Sequence, residues 1–334
     1  MKLAVASLIR NEIDIIGGFL QHIDALFDYA LLMDHGSIDG TDRAIAAACA
    51  RRTGWAMWHV EPVGYHQTAF NGFALRHLFR HTDADVVMFL DVDEFINVPD
   101  RASLLAAFAR LTDADCIGEL GWRNAVPGRT DTRAISPGEP IWLPFAAGRF
   151  GKVVIPRHFY TRHGTEAHLG IGNHFLYYPP AIRVRAERVG EILHLPIRSH
   201  TQLQSKVLAG VFSVMAQVQR LPTQCWHWFD ILDRIGEGTF RDDDLVGIAL
   251  HYGEHGSQSS TPVSWSELPD NGFTLTALNV AFGRPLPPIA EPLAMDPVRL
   301  IASVVRRFQM EDLDNGDLVL EADRLRFVPR ARQT

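Results

Sequence analysis

The sequence predicts an α/β fold in which a mostly parallel sheet is flanked by helices and followed by a C-terminal appendage. In its first hundred residues, apolar runs of strand length alternate with stretches of helical periodicity. The runs are almost continuously apolar, which is typical of parallel strands that are covered on both faces. Of the 334 residues, 47% are hydrophobic and 21% are charged, the balance of a folded globular protein.

The predicted elements of the first hundred residues follow one another in the strand–helix order of βαβ units. Asp39 and Thr41 stand just before the second helix, and either side chain can cap its amino end. The strands are predicted at residues 3–9, 29–33, 55–60 and 85–90, and the helices at residues 11–26, 42–52 and 68–81.

The rest of the chain has a less regular pattern. A helix is predicted at residues 101–112 and a strand at 115–122, and apolar residues at helical spacing predict two more helices at 201–221 and 298–310. Residues 123–195 are rich in Gly, Pro, Arg and His. We therefore expect loops there, which would build a substrate-specific wall beside the sheet.

Charge and cysteine content exclude several classes of protein. The net charge of -7 argues against a general nucleic-acid-binding protein, because phosphate backbones are held by an excess of Lys and Arg. The three cysteines are isolated, which fits structural thiols in a reducing compartment. No apolar stretch approaches the ~20 residues of a membrane helix, and the run at residues 3–9 ends as a strand does. We expect a cytoplasmic protein without an integral membrane segment.

Two aspartates at the end of the fourth predicted strand give the strongest sign of a functional site. Asp91 and Asp93 lie two residues apart, so in an extended chain both carboxylates face the same side. Together they would bind Mn²⁺ or Mg²⁺, which takes carboxylate oxygens and keeps positions open for phosphate oxygens. An acidic, solvated loop is the alternative. The third acid, Glu94, and the apolar strand before the pair favour the metal site.

Polar residues follow the first two strands as well, at the same predicted edge of the sheet. Arg10 and Asn11 follow the first strand, and Asp34, Ser37 and Asp39 follow the second. We predict all five as ligand-binding residues. The alternatives are a helix amino terminus after the first strand and a capped turn after the second.

These three strand ends resemble the glycosyltransferase family 2-like group, whose fold is GT-A. The resemblance rests on LAVASLIRNE, MDHGSIDGT and FLDVDEFI, and the combination is close to a bacterial subgroup with RNE after the first strand and DVDEF at the metal site. It covers residues 3–100. A weaker likeness over residues 150–210 rests on GKVVIPR, GNHF and LHLPIRS, followed by Lys206.

The resemblance implies roles for individual residues. Asp34 would contact the nucleotide base of the donor. Asp91 and Asp93 would hold the metal, with Asp93 binding it directly. His194 is the expected further metal ligand, with His174 and His200 as the next candidates.

The resemblance also implies a set of groups around the donor's diphosphate and the acceptor. Arg10 or Lys152 would offset charge on the diphosphate. Inverting members often carry an acidic dyad on the acceptor side, and no such pair stands between residues 120 and 190. Glu166 is the candidate base, and the stereochemistry is left open.

The predicted function is metal-dependent transfer of a sugar from a nucleoside-diphosphate donor, with a UDP-sugar favoured, to a hydroxyl of a glycan or other acceptor, as in surface polysaccharide or glycan synthesis. A binding module of the same fold that has lost turnover is the alternative. A phosphotransferase of the haloacid-dehalogenase type ranks lower, because Glu94 follows the second aspartate.

We divide the chain into a catalytic domain at residues 1–240 and a C-terminal extension at residues 241–334. Residues 1–100 would form the nucleotide-binding half of the catalytic domain, and residues 101–240 the acceptor side. The composition changes near residue 240, where an acidic run is followed by stretches rich in Ser, Thr and Pro.

Overall fold

The computed structural model describes residues 1–128, 135–146, 148, 150–220, 225–250, 252, 264–285 and 296–330. Its first part contains β1 (Leu3–Ile9), α1 (Ile16–Leu26), β2 (Tyr29–Asp34), α2 (Thr41–Cys49), β3 (Trp55–Val60), α3 (Gln67–His81), β4 (Val86–Phe89), β5 (Glu94–Ile96) and α4 (Arg101–Phe108).

The middle part contains β6 (Cys116–Asn124), β7 (Val126–Pro127), β8 (Pro140–Pro144), β9 (Gly151–Pro156), α5 (Arg157–His163), β10 (His168–Leu169), β11 (Leu176–Tyr177), β12 (Arg185–His194) and α6 (His200–Met215). The last part contains α7 (Trp226–Gly236), α8 (Asp242–Leu250), β13 (Phe273–Ala277), α9 (Pro297–Arg307), β14 (Gly316–Glu321) and β15 (Arg324–Pro329).

Ten strands form one twisted sheet in the order β14-β15-β3-β2-β1-β4-β9-β6-β12-β5. Neighbouring strands in the stretch β15-β3-β2-β1-β4 pair parallel, and so do β6 and β12. Strand β9 runs antiparallel to both of its neighbours, and β5 runs antiparallel to β12. The predicted α/β fold with a mostly parallel sheet between helices is confirmed.

Both faces of the central sheet are covered by apolar side chains. Along β1, Leu3 and Val5 pack with Phe19 of α1 on one face, whereas Ala4 and Ala6 belong to the core on the other face. All of these side chains are fully buried. This two-sided burial explains why the strands read as continuous apolar runs instead of alternating ones.

The expectation of loops at residues 123–195 holds only in part. Strands β9 and β12 lie inside the sheet, where Val153, Val154 and Ile155 are buried. Their apolar runs are short, and in β9 the run is flanked by Lys152, so the sequence pattern did not separate these strands from loops.

The C-terminal extension adds to the same sheet. Leu325 of β15 pairs with Val60 of β3, and the hairpin of β14 and β15 therefore continues the parallel half. The proline-rich and Ser/Thr-rich stretches that mark the extension in the sequence fall mostly outside the described residues. The domain boundary near residue 240 stays a prediction. Within the part of the chain that the structure describes, every helix is too short or too polar to cross a bilayer.

Candidate active site

A cavity of about 250 Å³ opens where β1 and β4 end. Open α/β sheets bind their ligands at the carboxyl ends of parallel strands, which is this edge. The acidic, basic and histidine side chains that line the cavity are Arg10, Glu12, Asp91, Asp93, His174, His194, Lys206 and His227. The structure thus brings together four of the predicted site residues, Arg10, Asp91, Asp93 and His194.

The register of the sheet places His194 beside Asp93. Strands β12 and β5 pair antiparallel with His194 opposite Glu94, the residue that follows Asp93. The backbone N–H of Leu195 donates to the carbonyl of Asp93 at 2.8 Å and fixes the two segments side by side. As a result, Nε2 of His194 lies 3.6 Å from Oδ1 of Asp93, although 101 positions separate the residues in the chain.

A hydrogen-bonded chain sets which nitrogen of His194 carries the proton. The amide nitrogen of Asn124 donates to the carbonyl of Tyr252 at 3.0 Å, so the amide oxygen faces His194. That oxygen accepts from Nδ1 of His194 at 2.8 Å, because an amide oxygen cannot donate. Burial lowers the pKa of His194, which keeps the ring neutral. Its Nε2 therefore presents a bare lone pair to the carboxylate of Asp93.

The carboxylate of Asp93 is buried and charged. Nζ of Lys206 donates to its Oδ2 at 2.7 Å, and Nη1 of Arg198 lies 3.8 Å from the same oxygen. Although burial opposes the charge, the Lys206 ammonium, with the Arg198 guanidinium beside it, holds the pKa of Asp93 well below its usual range. The aspartate therefore stays ionised, with its other oxygen, Oδ1, turned toward His194.

Asp91 has a different environment, in which a buried lysine is its partner. Nζ of Lys152 lies 2.7 Å from Oδ2 of Asp91 and 3.1 Å from Oε1 of Glu94. Although burial opposes it, these two carboxylates raise the pKa of Lys152. Burial in turn raises the pKa of Glu94 to about 8. Lys152, predicted to contact the diphosphate, lies behind the Asp91 carboxylate and does not line the cavity.

Glu12 lines the cavity and was not among the predicted site residues. Its carboxylate accepts a short hydrogen bond from Arg198, whose guanidinium also donates to Asp14 at 2.6 Å. Glu12, Asp14 and Asp93 thus share the two cations of Arg198 and Lys206. Burial raises the pKa of Glu12 to about 7. The sequence carried a sign of Glu12 in its RNE motif and of Arg198 in LHLPIRS, whereas nothing in the sequence marked Asn124.

The residues predicted after the first two strands bind one another. The side chain of Asn11 accepts from the N–H of Ile38 at 2.9 Å, and Ser37 Oγ accepts from the N–H of Asn11 at 3.0 Å. Asp39 accepts from the N–H groups of Ile13 and Thr41, both at 3.0 Å. Among the described contacts, these side chains accept backbone N–H groups of the loops after β1 and β2, and most of these hydrogen bonds join one loop to the other.

Asp34 is likewise engaged in its own loop. Its carboxylate accepts from the N–H groups of Gly36 at 3.2 Å and Ser37 at 3.1 Å, and only 4% of the residue is exposed. Asp34 does not line the cavity that holds Asp91 and Asp93. Its predicted contact with the base stays a prediction.

The structure does not bring Glu166 to the cavity. Glu166 follows α5 and is exposed, and the residues beside it face a different surface groove. Of the two reserve histidines, His174 lines the cavity, whereas His200 stacks on Phe240 and does not. Nδ1 of His174 donates to the carbonyl of Gly151 at 2.8 Å, and burial lowers the pKa of His174 to about 4.

Asp93 and His194 fit a divalent cation as a pair of ligands. A buried carboxylate and a bare imidazole nitrogen 3.6 Å apart are both electron-pair donors, so a cation between them relieves their repulsion. Within the described residues, no group of three or more His, Cys, Asp or Glu could hold a metal. A cation here would need further oxygen ligands from water or substrate, as Mg²⁺ and Mn²⁺ sites at phosphates commonly have.

No family model matches the sequence, and no curated protein matches it. Among solved structures, the chain is similar to TarS of S. aureus, with 12% identity, a TM-score of 0.37, and 76% of this chain and 44% of that chain covered. A TarS fragment, residues 1–349, gives 13% identity, a TM-score of 0.36, and coverages of 80% and 77%. The structure of GalNAc-T7 with UDP, GalNAc and Mn²⁺ gives 12% identity and a TM-score of 0.37, with 81% of this chain and 56% of that chain covered. The chain thus spans less than half the length of the TarS chain and just over half that of GalNAc-T7.

Proposed function

We propose that the protein is a metal-dependent glycosyltransferase that moves a sugar from a nucleoside-diphosphate donor, with UDP favoured, to an acceptor hydroxyl. The observation that carries this proposal is the pair formed by Asp93 and His194 at the ligand-binding edge of the sheet. Asn124 directs the unprotonated nitrogen of His194 toward the buried carboxylate, which is a ligand arrangement for Mn²⁺ or Mg²⁺.

The residues around this pair suit a diphosphate that gains negative charge as it leaves. When bound, the cation would neutralise part of that charge. Asp91, with 34% of its side chain exposed, faces the same cavity and would orient the donor. Arg10 and Lys206 line the cavity and supply positive charge beside the departing diphosphate.

Glu12 replaces Glu166 as the candidate general base in this proposal, because Glu12 faces the cavity and Glu166 does not. Its pKa of about 7 suits proton transfer at neutral pH. The donor-binding roles of Asn11, Ser37 and Asp39 stay predictions.

A nucleotide-binding module without turnover is the second candidate. It is favoured by the two lysines, since Lys152 and Lys206 already donate to Asp91 and Asp93 at 2.7 Å and balance their charge. A module of this kind would bind nucleotides equally well with and without Mn²⁺.

Two histidine variants separate these candidates. The protein is incubated with a panel of nucleotide sugars and acceptors, and nucleoside diphosphate release is measured with Mn²⁺ and with EDTA. Thermal shifts with UDP, GDP, CDP and TDP identify the base. We expect release only with Mn²⁺, a loss of about 10²-fold or more in His194→Ala, and no change in the matched control His200→Ala. Metal-independent binding without release by any donor would reject the enzyme.

A further inference from the structure

The C-terminal segment formed by α9 and the residues after it is fixed over the loop that follows β3. Val304 of α9 packs with Val63 of that loop and with Ala216, and Val304 is fully buried. Just beyond α9, the carboxylate of Glu311 accepts from the N–H groups of Val63 at 2.6 Å and Gly64 at 2.9 Å. A segment outside the predicted catalytic domain is therefore built into the edge of the sheet beside the cavity.

Arg307, the last residue of α9, reaches into the loop after β2. Its Nη2 donates to the carbonyls of Val60 and Glu61, both at 2.9 Å. A Cβ placed on Gly36 would lie 1.4 Å from Nη1 of Arg307, so only glycine leaves room for the guanidinium at this point. Within the described part of the chain, Nε and Nη1 of Arg307 donate to no acceptor.

Arg10 is a second guanidinium nearby, and it too lacks an acidic hydrogen-bond partner in the described residues. Its Nη1 donates to Ser213 Oγ at 2.7 Å, and its buried Nε has no partner there. Burial and the positive charge of Arg307 lower the pKa of Arg10 to about 10, although the charge of Asp34 acts against them. Asp34 has both carboxylate oxygens engaged by loop N–H groups. The charges of Asp34, Glu311 and Glu61 also act on Arg307, but among the described contacts none of these carboxylates accepts a hydrogen bond from either guanidinium. The unused N–H donors are therefore left for an added anion.

We propose that Arg307 and Arg10 form an anion-binding site for a phosphoryl group, so that the C-terminal segment completes the donor site. Two guanidinium groups with unused N–H donors match the oxygens of a phosphate, which arginine binds in a bidentate manner. Arg10 lines the cavity of Asp91 and Asp93, so the bound anion lies at its edge. The naming of this anion as the donor's diphosphate rests on the proposed function, whereas the site itself rests on the two arginines.

Inorganic pyrophosphate is the probe that tests the site, with affinity measured by titration calorimetry in EDTA. We expect Arg307→Gln to weaken pyrophosphate and UDP binding about tenfold or more, because a charged hydrogen-bonding partner is lost. The matched control is Arg306→Gln, since Arg306 is the preceding residue of α9 and is exposed. It should change the affinity less than about twofold, as expected for a solvated charge.

A lysine variant separates charge from packing. Arg307→Lys retains the positive charge but cannot reproduce the forked hydrogen bonds to Val60 and Glu61. Recovery of part of the pyrophosphate affinity in this variant supports the anion site, because the charge is kept while the forked donors to the phosphate are lost. Equal weakening in Arg307→Lys and Arg307→Gln would show that the positive charge contributes nothing to pyrophosphate binding, and would overturn the site.

The remaining outcomes distinguish this site from the proposed function. A wild-type protein that binds no pyrophosphate, or an Arg307→Gln variant that binds it like Arg306→Gln, overturns the site. Donor turnover with an unchanged KM in Arg307→Gln rejects the site and leaves the glycosyltransferase standing. Pyrophosphate binding that needs Arg307, in a protein that turns over no donor, keeps the site and rejects the glycosyltransferase.

Discussion

Two strand ends at the same edge of the sheet carry acidic residues, and they differ in what those residues bind. After β2, the carboxylates of Asp34 and Asp39 accept backbone N–H groups of their own and the neighbouring loop. After β4, the carboxylate of Asp93 faces a histidine nitrogen and a cavity. The first strand end, over residues 34–41, is a loop whose acids are satisfied internally. The second, over residues 91–94, holds an acid that still has a lone pair for a ligand.

The difference shows that position at a ligand-binding edge does not by itself make a residue a ligand contact. A buried carboxylate lowers its free energy by accepting N–H donors, and the loop at residues 34–41 supplies them. Beyond β4, the strands β5 and β12 use their N–H groups for each other, so a histidine and two cations complete the surroundings of Asp93. Substitutions at the two strand ends should therefore affect different properties.

The largest expected effect is that of Asp93→Asn on turnover. Loss of the anionic ligand should lower kcat about 10²–10³-fold, because the divalent cation that would stabilise the leaving diphosphate is no longer held in place. Product release from nucleotide sugars measures this. Asp39→Asn is the comparison from the other strand end, and its kcat should stay within about threefold of wild type. Similar losses in both variants would erase the distinction between the two strand ends.

Glu12 should make the free energy of unfolding depend on pH. It contacts both strand ends, since it binds Thr41 in the loop after β2 and shares Arg198 with Asp93. Its N–H donates to Thr41 Oγ1, and its pKa is raised from 4.5 to about 7 by burial. The folded protein then holds a proton that the unfolded chain has lost, so the free energy of unfolding falls as pH rises from about 4.5 to 7, by at most about 3 kcal/mol. Urea titrations in EDTA should give a flatter profile for Glu12→Gln. Parallel profiles would mean that Arg198 keeps Glu12 ionised throughout.

The sequence predicted the sheet well because strands that are buried on both faces are almost continuously apolar, as β1 and β4 are. It also predicted the pairing of Asp93 with His194 through a resemblance, since their contact depends on the register of β12 with β5. The partners of each carboxylate could not be predicted from the sequence. Nothing local in the sequence indicates that Lys152 would be buried behind Asp91 or that Arg307 would lie over Gly36, because both contacts depend on how distant segments pack.

Asn124 offers a sharper test of the strand end after β4. Asn124→Ala removes the acceptor that fixes the proton of His194 on Nδ1, and the imidazole can then turn or change tautomer. We expect Mn²⁺ affinity to fall about 10–100-fold, the usual effect of losing an outer partner of a metal-binding histidine. Calorimetric titration with Mn²⁺ measures it. Asn97→Ala, at an exposed asparagine, is the control and should bind Mn²⁺ like the wild type.

A substitution in the loop after β2 should lower the stability of the protein. Asp39→Ala leaves the N–H groups of Ile13 and Thr41 without their acceptor, and the free energy of unfolding should fall by about 1–3 kcal/mol. Urea unfolding followed by circular dichroism measures the change. The affinity for nucleoside diphosphate, measured below the unfolding transition, should remain within about threefold. A variant with unaltered stability and lost affinity would make Asp39 a donor contact, as the sequence predicts.

The smallest expected effect is that of Asp34→Asn on the choice of base, and it decides whether this strand end binds a ligand at all. The asparagine keeps one acceptor oxygen for the loop, so it should cost only about 1 kcal/mol of stability. If the carboxylate serves the loop alone, the relative affinities for UDP, GDP, CDP and TDP should change less than about threefold. If the loop opens when the donor binds, the carboxylate is released to pair with the base. The variant would then lose its discrimination between nucleotides, and the role implied by the family resemblance would replace the one that the hydrogen bonds of the loop indicate.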